Sequence, residues 1–231
     1  PSVQIISFND DDTLNFHRIG EGSDIQLALS SEADFLYSGV VTDVASQASF
    51  NILVTINESA LTGGTSTLEV SGTDAILNGT LGTQTYVQMR DMIAANPNVT
   101  RVIIEESDGS MNDDINVHTG RLIRDARLAT HVPADGDINS GAVDLFAAGH
   151  TRTAEDGAIV GVHSWCCNDD GLAGDELPRA DEAHGTQLTY FRQMLPSTGE
   201  DFYFFTLSAA SFDGIHKMNR EEMDQYGLLT P

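Results

Sequence analysis

The chain has 231 residues, 40% of them hydrophobic, and carries 35 acidic against 11 basic side chains, for a net charge of −24. That balance lacks the clustered Lys/Arg on which phosphodiesters and anionic membrane surfaces depend, so nucleic acid is not an expected partner. Apolar runs long enough to cross a bilayer, about 18 residues, do not occur, and no membrane span is expected.

Lys217 is the sole lysine. An acidic, lysine-poor surface suits high salt, where at 1 M the Debye length is about 3 Å and self-repulsion is screened, so a marine or halophilic source is expected. The sequence opens on Pro1 rather than Met, as expected of a removed leader or of a trimmed start, and a periplasmic or extracellular location is expected. Cys166 and Cys167 are adjacent and close no loop. They are expected as buried small apolar residues rather than as a vicinal disulfide or a metal site.

Residues 1–67 read as a β-rich region, with runs at Val3–Phe8, Ile25–Leu29, Phe35–Val41 and Phe50–Ile56 between Asp/Asn/Gly/Ser turns. No catalytic pattern occurs there. Asn9-Asp10-Asp11-Asp12 lacks the ligand spacing and glycine of a calcium loop and reads as a solvated turn. Asn57-Glu58-Ser59, Asn78-Gly79-Thr80 and Asn98-Val99-Thr100 match glycosylation sequons, which mean little in a prokaryotic protein.

From Leu68 to Pro231 strands and helices alternate, which predicts an α/β domain. A short strand at Ala75–Leu77 precedes a helix from Thr83 to Ala95, with Tyr86, Met89 and Ile93 inward and Asn96-Pro97-Asn98 as its stop. The strand Arg101–Ile104 runs into Glu105-Glu106-Ser107-Asp108-Gly109-Ser110, at the strand end where α/β sheets place their sites. Asn112 to Arg127 is the next predicted helix, with Ile115, Leu122, Ile123 and Ala126 inward and Arg121, Arg124 and Arg127 toward its negative end. Ala129–Val132 returns as a strand.

The turn Asn139-Ser140-Gly141 then feeds the apolar segment Ala142–Ala148, placing Ser140 at a helix N-terminus. Amides there lack intrahelical partners, so that of Gly141 is placed to hold an oxyanion forming beside Ser140 Oγ. After Glu155-Asp156-Gly157, the strand Ala158–Val162 ends on His163, and one helix and one strand suffice to bring the imidazole back to the serine. Taken singly, Ser140 reads as a helix cap and His163 as a hydrogen-bonded strand end; together and in this order they read as nucleophile and base.

Past His163, Asn168 to Glu176 is an acidic loop, read as solvated rather than metal-binding. Arg179 to Leu195 reads as a long helix with Ala180, Ala183, Leu188, Phe191 and Leu195 inward and His184 in a surface or packing role. Phe202–Leu207 is an aromatic segment, and Asn219–Tyr226 a short helix closed by Gly227.

From about Leu68 to Leu228 this layout resembles the Clp-type serine peptidases, the superfamily of the Clp protease proteolytic subunit, signal peptide peptidase A and bacterial periplasmic relatives. The resemblance implies a crotonase/Clp-protease-like fold with a repeated ββα core. It implies Ser140 as nucleophile, His163 as base, and an oxyanion hole from Gly141 with Gly109 or Ser110 of the loop Ser107-Asp108-Gly109-Ser110. That loop departs from the family's two glycines, since Asp108 puts a carboxylate beside the hole. Met218 to Leu228 resembles the family's closing element, and the acid normally precedes it, which makes Asp213 the expected third member, with Asp201 and Glu200 behind it. Some relatives use a lysine base, but Lys217 is remote in sequence.

The expected activity is that of a serine peptidase or related acyl hydrolase acting on a peptide or protein substrate, with no cofactor and no metal. Relatives assemble as rings or trimers, so a homo-oligomer is expected. Two alternatives remain: a non-catalytic peptide-binding or assembly scaffold of the same fold, and a crotonase-type acyl-CoA enzyme, for whose phosphates the chain offers few basic residues.

Overall fold

A computed structural model describes residues 3–8, 14–18, 25–33, 36–43, 47, 49–55, 63–168 and 170–230. The chain forms two compact units, Pro1–Thr62 and Gly63–Pro231. In the first, β1 (Val3–Phe8) and β2 (Leu14–Arg18) pair antiparallel, while β3 (Ile25–Ala33), β4 (Leu36–Asp43) and β5 (Ser49–Thr55) form an antiparallel meander. The strand β2 is not among the runs expected from sequence. Asn9–Asp12 and the sequon at Asn57 lie outside the described residues.

The second unit starts before Leu68, because the Thr65 amide donates to Thr80 O and the Gln84 amide to Gly63 O. Its first pair is the hairpin β6 (Thr67–Ser71) and β7 (Asp74–Asn78), turned at Gly72 with φ 64°. Then follow α1 (Thr83–Ala95), β8 (Arg101–Ser107), α2 (Asp113–Asp125), β9 (Ala129–Val132), β10 (Asp137–Asn139), α3 (Gly141–Ala148), β11 (Arg152–Ala154) and β12 (Ile159–Val162). The result is a succession of strand–strand–helix turns around one sheet.

Within that sheet β8 is the hub: it runs parallel to β7, to β9 through its first half, and to β10 at its end, where Ser107 faces Ile138. The neighbour beyond β10 is β12, also parallel, with Asn139 opposite Gly161. Alternate residues of β7 and β8, including Leu77, Val102 and Ile104, are fully buried against the helices, as period-two patterning dictates. Helix α3 is buried on every side, which its sequence Gly-Ala-Val-Asp-Leu-Phe-Ala-Ala permits except at Asp144.

The inward stripes differ from expectation in detail. Met92 is buried on α1 beside Tyr86 and Met89, while Ile93 packs partly buried against the core. On α2 Ile123 is buried and Leu122 partly so, as expected, but Asn116 to Gly120 are buried too and Ala126 is exposed past the helix end. The helix expected from Arg179 begins only at Gly185, as α4 (Gly185–Met194), after a 3-10 turn at Glu182–His184; Ala180 and Ala183 are exposed. His184 is a packing residue, buried between Tyr203 Oη at 2.8 Å and Pro178 O at 3.1 Å. The aromatic segment belongs to a helix, α5 (Gly199–Ala209). After it come β13 (His216–Lys217), antiparallel to β12, and α6 (Arg220–Gln225).

Cys166 and Cys167 are exposed and joined to each other, not buried as expected. Trp165 takes the inward position, its Nε1 donating to Tyr203 Oη at 2.9 Å, and this leaves the two cysteines on the outside of the loop. No helix among the described residues is long and apolar enough to cross a membrane.

Candidate active site

Three strand ends converge. Ser107 closes β8, Asn139 closes β10 and Val162 closes β12, so the residues immediately after them share the carboxyl edge of neighbouring parallel strands. Ser140 is held there by its own amide, which donates to Gly161 O at 2.9 Å, while Ser140 O accepts from Val143 N at 2.8 Å to begin α3. Its backbone takes φ 53° and ψ −128°, a conformation rare for a residue with a Cβ. Its side chain caps no amide of α3, so the hydroxyl is not used as an ordinary helix cap.

The loop after β8 lies against this serine. Gly109 has φ 123°, and a Cβ built there would stand 2.7 Å from Ser140 Cβ and 3.2 Å from its Oγ. Only glycine allows that approach. Leu81 clamps the loop, its amide donating to Gly109 O and its carbonyl accepting from Met111 N, at 2.8 and 2.9 Å. These bonds leave the Ser110 amide facing away from Leu81; a Cβ on Gly141 would lie 3.1 Å from Ser110 N. The Gly109 amide has a long contact, 3.4 Å, to the hydroxyl of buried Ser107. Gly141, Ser110 and Gly109 are thus brought together beside Ser140. Asp108 is exposed and is not part of the cavity wall, so the carboxylate expected to oppose an oxyanion is turned to solvent.

Ser140, Gly141 and His163 line one cavity of about 40 Å³, room for roughly three waters. Its apolar walls are Val143, Val162, Phe191 and Phe202. His163 is half-buried, and its Nδ1 is buried without a hydrogen-bond partner among the described residues. Serine and histidine share the cavity without being hydrogen-bonded to each other, a separation common in unliganded sites.

Asp213 is not brought to this place. It is exposed, accepts a hydrogen bond from Ser211 Oγ at 2.6 Å, and sits in the turn before β13. The antiparallel register, Val162 opposite His216, lays Ile215 over Gly161 instead. Glu200 and Asp201 are exposed on the first turn of α5, Glu200 paired with Arg192 at 2.7 Å.

Two carboxyl groups not expected from the sequence do line the cavity, Asp113 and Asp144. Asp113 opens α2, and burial first, then the charge of Asp114, push its carboxyl up to about 6 against a hydrogen bond from Ser110. Asp144 stands one turn beyond Ser140 on α3 and is only 8% exposed. Burial, and secondarily the Asp113 charge, drive its carboxyl well above the usual range against a hydrogen bond from Asn116. Asn116 also donates to Gly141 O at 2.8 Å, tying α2 to the first turn of α3. A lone aspartate inside an otherwise apolar helix is the one sequence signal for this group.

No family model matches the chain, and no curated protein matches it. Among solved structures it is similar in fold to an alanine mutant of a membrane-bound stomatin-specific protease, at 15% identity over 67% of this chain and 75% of that one, with a TM-score of 0.46. A second mutant of that protease, in complex with a substrate peptide, gives 16% identity, 67% and 71% coverage and a TM-score of 0.47. An enoyl-CoA hydratase from Mycobacterium avium subsp. paratuberculosis gives 12% identity, 71% and 66% coverage and a TM-score of 0.45. The roles of individual residues rest on the geometry of the site.

No group of three or more His, Cys, Asp or Glu side chains arranged to hold a metal ion occurs among the described residues.

Proposed function

We propose that the second unit is a serine hydrolase of acyl bonds, with peptides as its expected substrates. The observation that carries this reading is Ser140 itself, held at a positive φ on the N-terminus of α3, in one cavity with His163 and beside the amides of Gly141 and Ser110. Strain of this kind, about 1–3 kcal/mol, persists where the surroundings impose it, and here it lifts a hydroxyl out of its capping role.

In the reaction Ser140 Oγ bonds to the substrate carbonyl carbon while its proton passes to the His163 imidazole. The carbonyl oxygen, now negative, accepts from the Gly141 amide and from that of Ser110 or Gly109. The bond to the leaving amine then breaks as His163 returns the proton to that nitrogen. Water then attacks the acyl-enzyme as it gives a proton to the same imidazole, and the acyl–Oγ bond breaks as His163 returns that proton to Ser140 Oγ, releasing the acid. Asp213 has no part in these steps.

Hydrolysis of an activated p-nitrophenyl ester tests the assignment. Ser140→Ala and His163→Ala are each expected to lower kcat/KM by about 10³-fold or more, and Asp213→Asn to stay within about twofold of wild type. Turnover that survives Ser140→Ala contradicts the reading, and a collapse in Asp213→Asn would restore that residue to the triad.

A further inference from the structure

The cavity beside Ser140 holds two carboxyl groups that the proposed chemistry does not use. Asp113 and Asp144 enter it from two different helices, and none of its lining residues is lysine or arginine. Their hydrogen-bond partners, Ser110 and Gln187 for Asp113 and Asn116 for Asp144, are neutral, and the charges that act on them are negative, Asp114 on Asp113 and Asp113 on Asp144. A buried carboxyl group keeps its charge where a cation pairs with it and otherwise holds a proton. A second feature of the same wall is independent of them: Nδ1 of His163 is buried with no hydrogen-bond partner among the described residues.

We propose that this cavity is the specificity pocket of the hydrolase and that it receives a primary ammonium group of the substrate, next to the scissile carbonyl. The inference rests on the hydrolase reading and names its substrate class. Room for roughly three waters holds an ammonium head, itself close to a water in size, together with the first methylenes that carry it. Val143, Val162, Phe191 and Phe202 offer apolar walls for the methylenes that carry it. Asp144 lies one helical turn from the nucleophile, so the cation it holds belongs to the residue being cleaved or to that residue's own amino terminus. Lysine side chains and free α-amino groups share this chemistry.

Three p-nitrophenyl esters separate the outcomes on the full chain: Nα-acetyl-lysine, Nα-acetyl-norleucine, and norleucine with a free amine. The proposal expects one of the two amines to exceed the acetyl-norleucine ester in kcat/KM by about 10- to 100-fold, the range for a hydrogen bond to a charged group. Preference for acetyl-lysine assigns the pocket to a side chain, and preference for free norleucine to an amino terminus. Asp113→Asn and Asp144→Asn are each expected to collapse that ratio toward one; where Asp144→Asn does not fold by circular dichroism, Asp113→Asn alone decides. Ser140-dependent turnover of all three esters at equal rates overturns the ammonium pocket and leaves the hydrolase standing. No Ser140-dependent turnover of any ester overturns both.

Discussion

At Ser140 the backbone stores energy that a glycine would release. Its φ of 53° costs a residue with a Cβ about 1–3 kcal/mol, so Ser140→Gly is expected to stabilise the fold by roughly 1 kcal/mol while abolishing turnover. Urea denaturation measures this; a variant less stable than wild type would show the conformation to be unstrained. Gly109→Ala has the opposite sign, since φ 123° and the 2.7 Å approach to Ser140 Cβ leave no room for a methyl group. It is expected to cost about 1–3 kcal/mol and to lower esterase kcat/KM, because the serine must move to accommodate it. The pair Ser140 and His163 is legible in sequence because His163 directly follows a recognisable strand and Ser140 stands in a polar turn that feeds an apolar helix; the short strand Asp137–Asn139 that sets Ser140 on the same edge is not legible. Asp213 misleads because nearness to a closing motif fixes a chain position and says nothing of where the carboxylate points. Asp113 reads as one of two helix-opening acids, and nothing local distinguishes the one that faces inward.

Among the elements, α3 matters most, and it is held from outside. The Tyr190 hydroxyl donates to Asp144 O at 2.7 Å, Thr130 Oγ1 to Phe146 O at 2.7 Å, and Asn116 to Gly141 O. Tyr190→Phe leaves a buried carbonyl with one donor fewer and is expected to cost about 1–2 kcal/mol, read by thermal or urea unfolding. A larger tie sits at β11, where buried Arg152 donates to Leu228 O, Gly149 O and Gly227 O at 2.8–3.0 Å and so binds the C-terminal segment to the sheet. Arg152→Met is expected to cost about 3 kcal/mol or more, because three carbonyls lose charged donors at once. Strand β9 is legible in sequence to the residue, and α2 nearly so, because each has clear punctuation: Asn112 caps α2, its side chain accepting from Ile115 N at 3.2 Å. Helix α5 is not legible as a helix, since its run of Phe and Tyr carries β-propensity that burial against α4 overrides.

For the whole molecule, charge sets the conditions under which these expectations hold. With a net charge of −24 the folded chain repels itself, and raising salt from about 0.1 to 1 M shortens the Debye length from about 10 to 3 Å. The Tm is therefore expected to rise over that range; a flat or falling Tm would remove the argument for a salt-adapted surface. Sedimentation at both salt concentrations tests the expected self-association, and a monomer in each would end it. The pH dependence runs the other way from the usual acid-labile carboxylate. Asp113, pushed up to about 6 chiefly by burial, keeps a proton in the folded state between about pH 4 and 6 that the unfolded chain has released. The stability it contributes is thus full below that window and lost as pH rises through it. Asp113→Asn, which cannot ionise, is expected to melt higher than wild type near pH 8 and at the same temperature near pH 3, as calorimetry would show.

The central claim, that Ser140 is an activated nucleophile, is tested most directly by reaction with a fluorophosphonate probe in high-salt buffer, with the labelled peptide mapped by mass spectrometry. The account predicts phosphonylation at Ser140, absent in Ser140→Ala and strongly reduced in His163→Ala. A folded wild-type protein that takes no label, or takes it elsewhere, would contradict it and favour a scaffold that binds without cleaving.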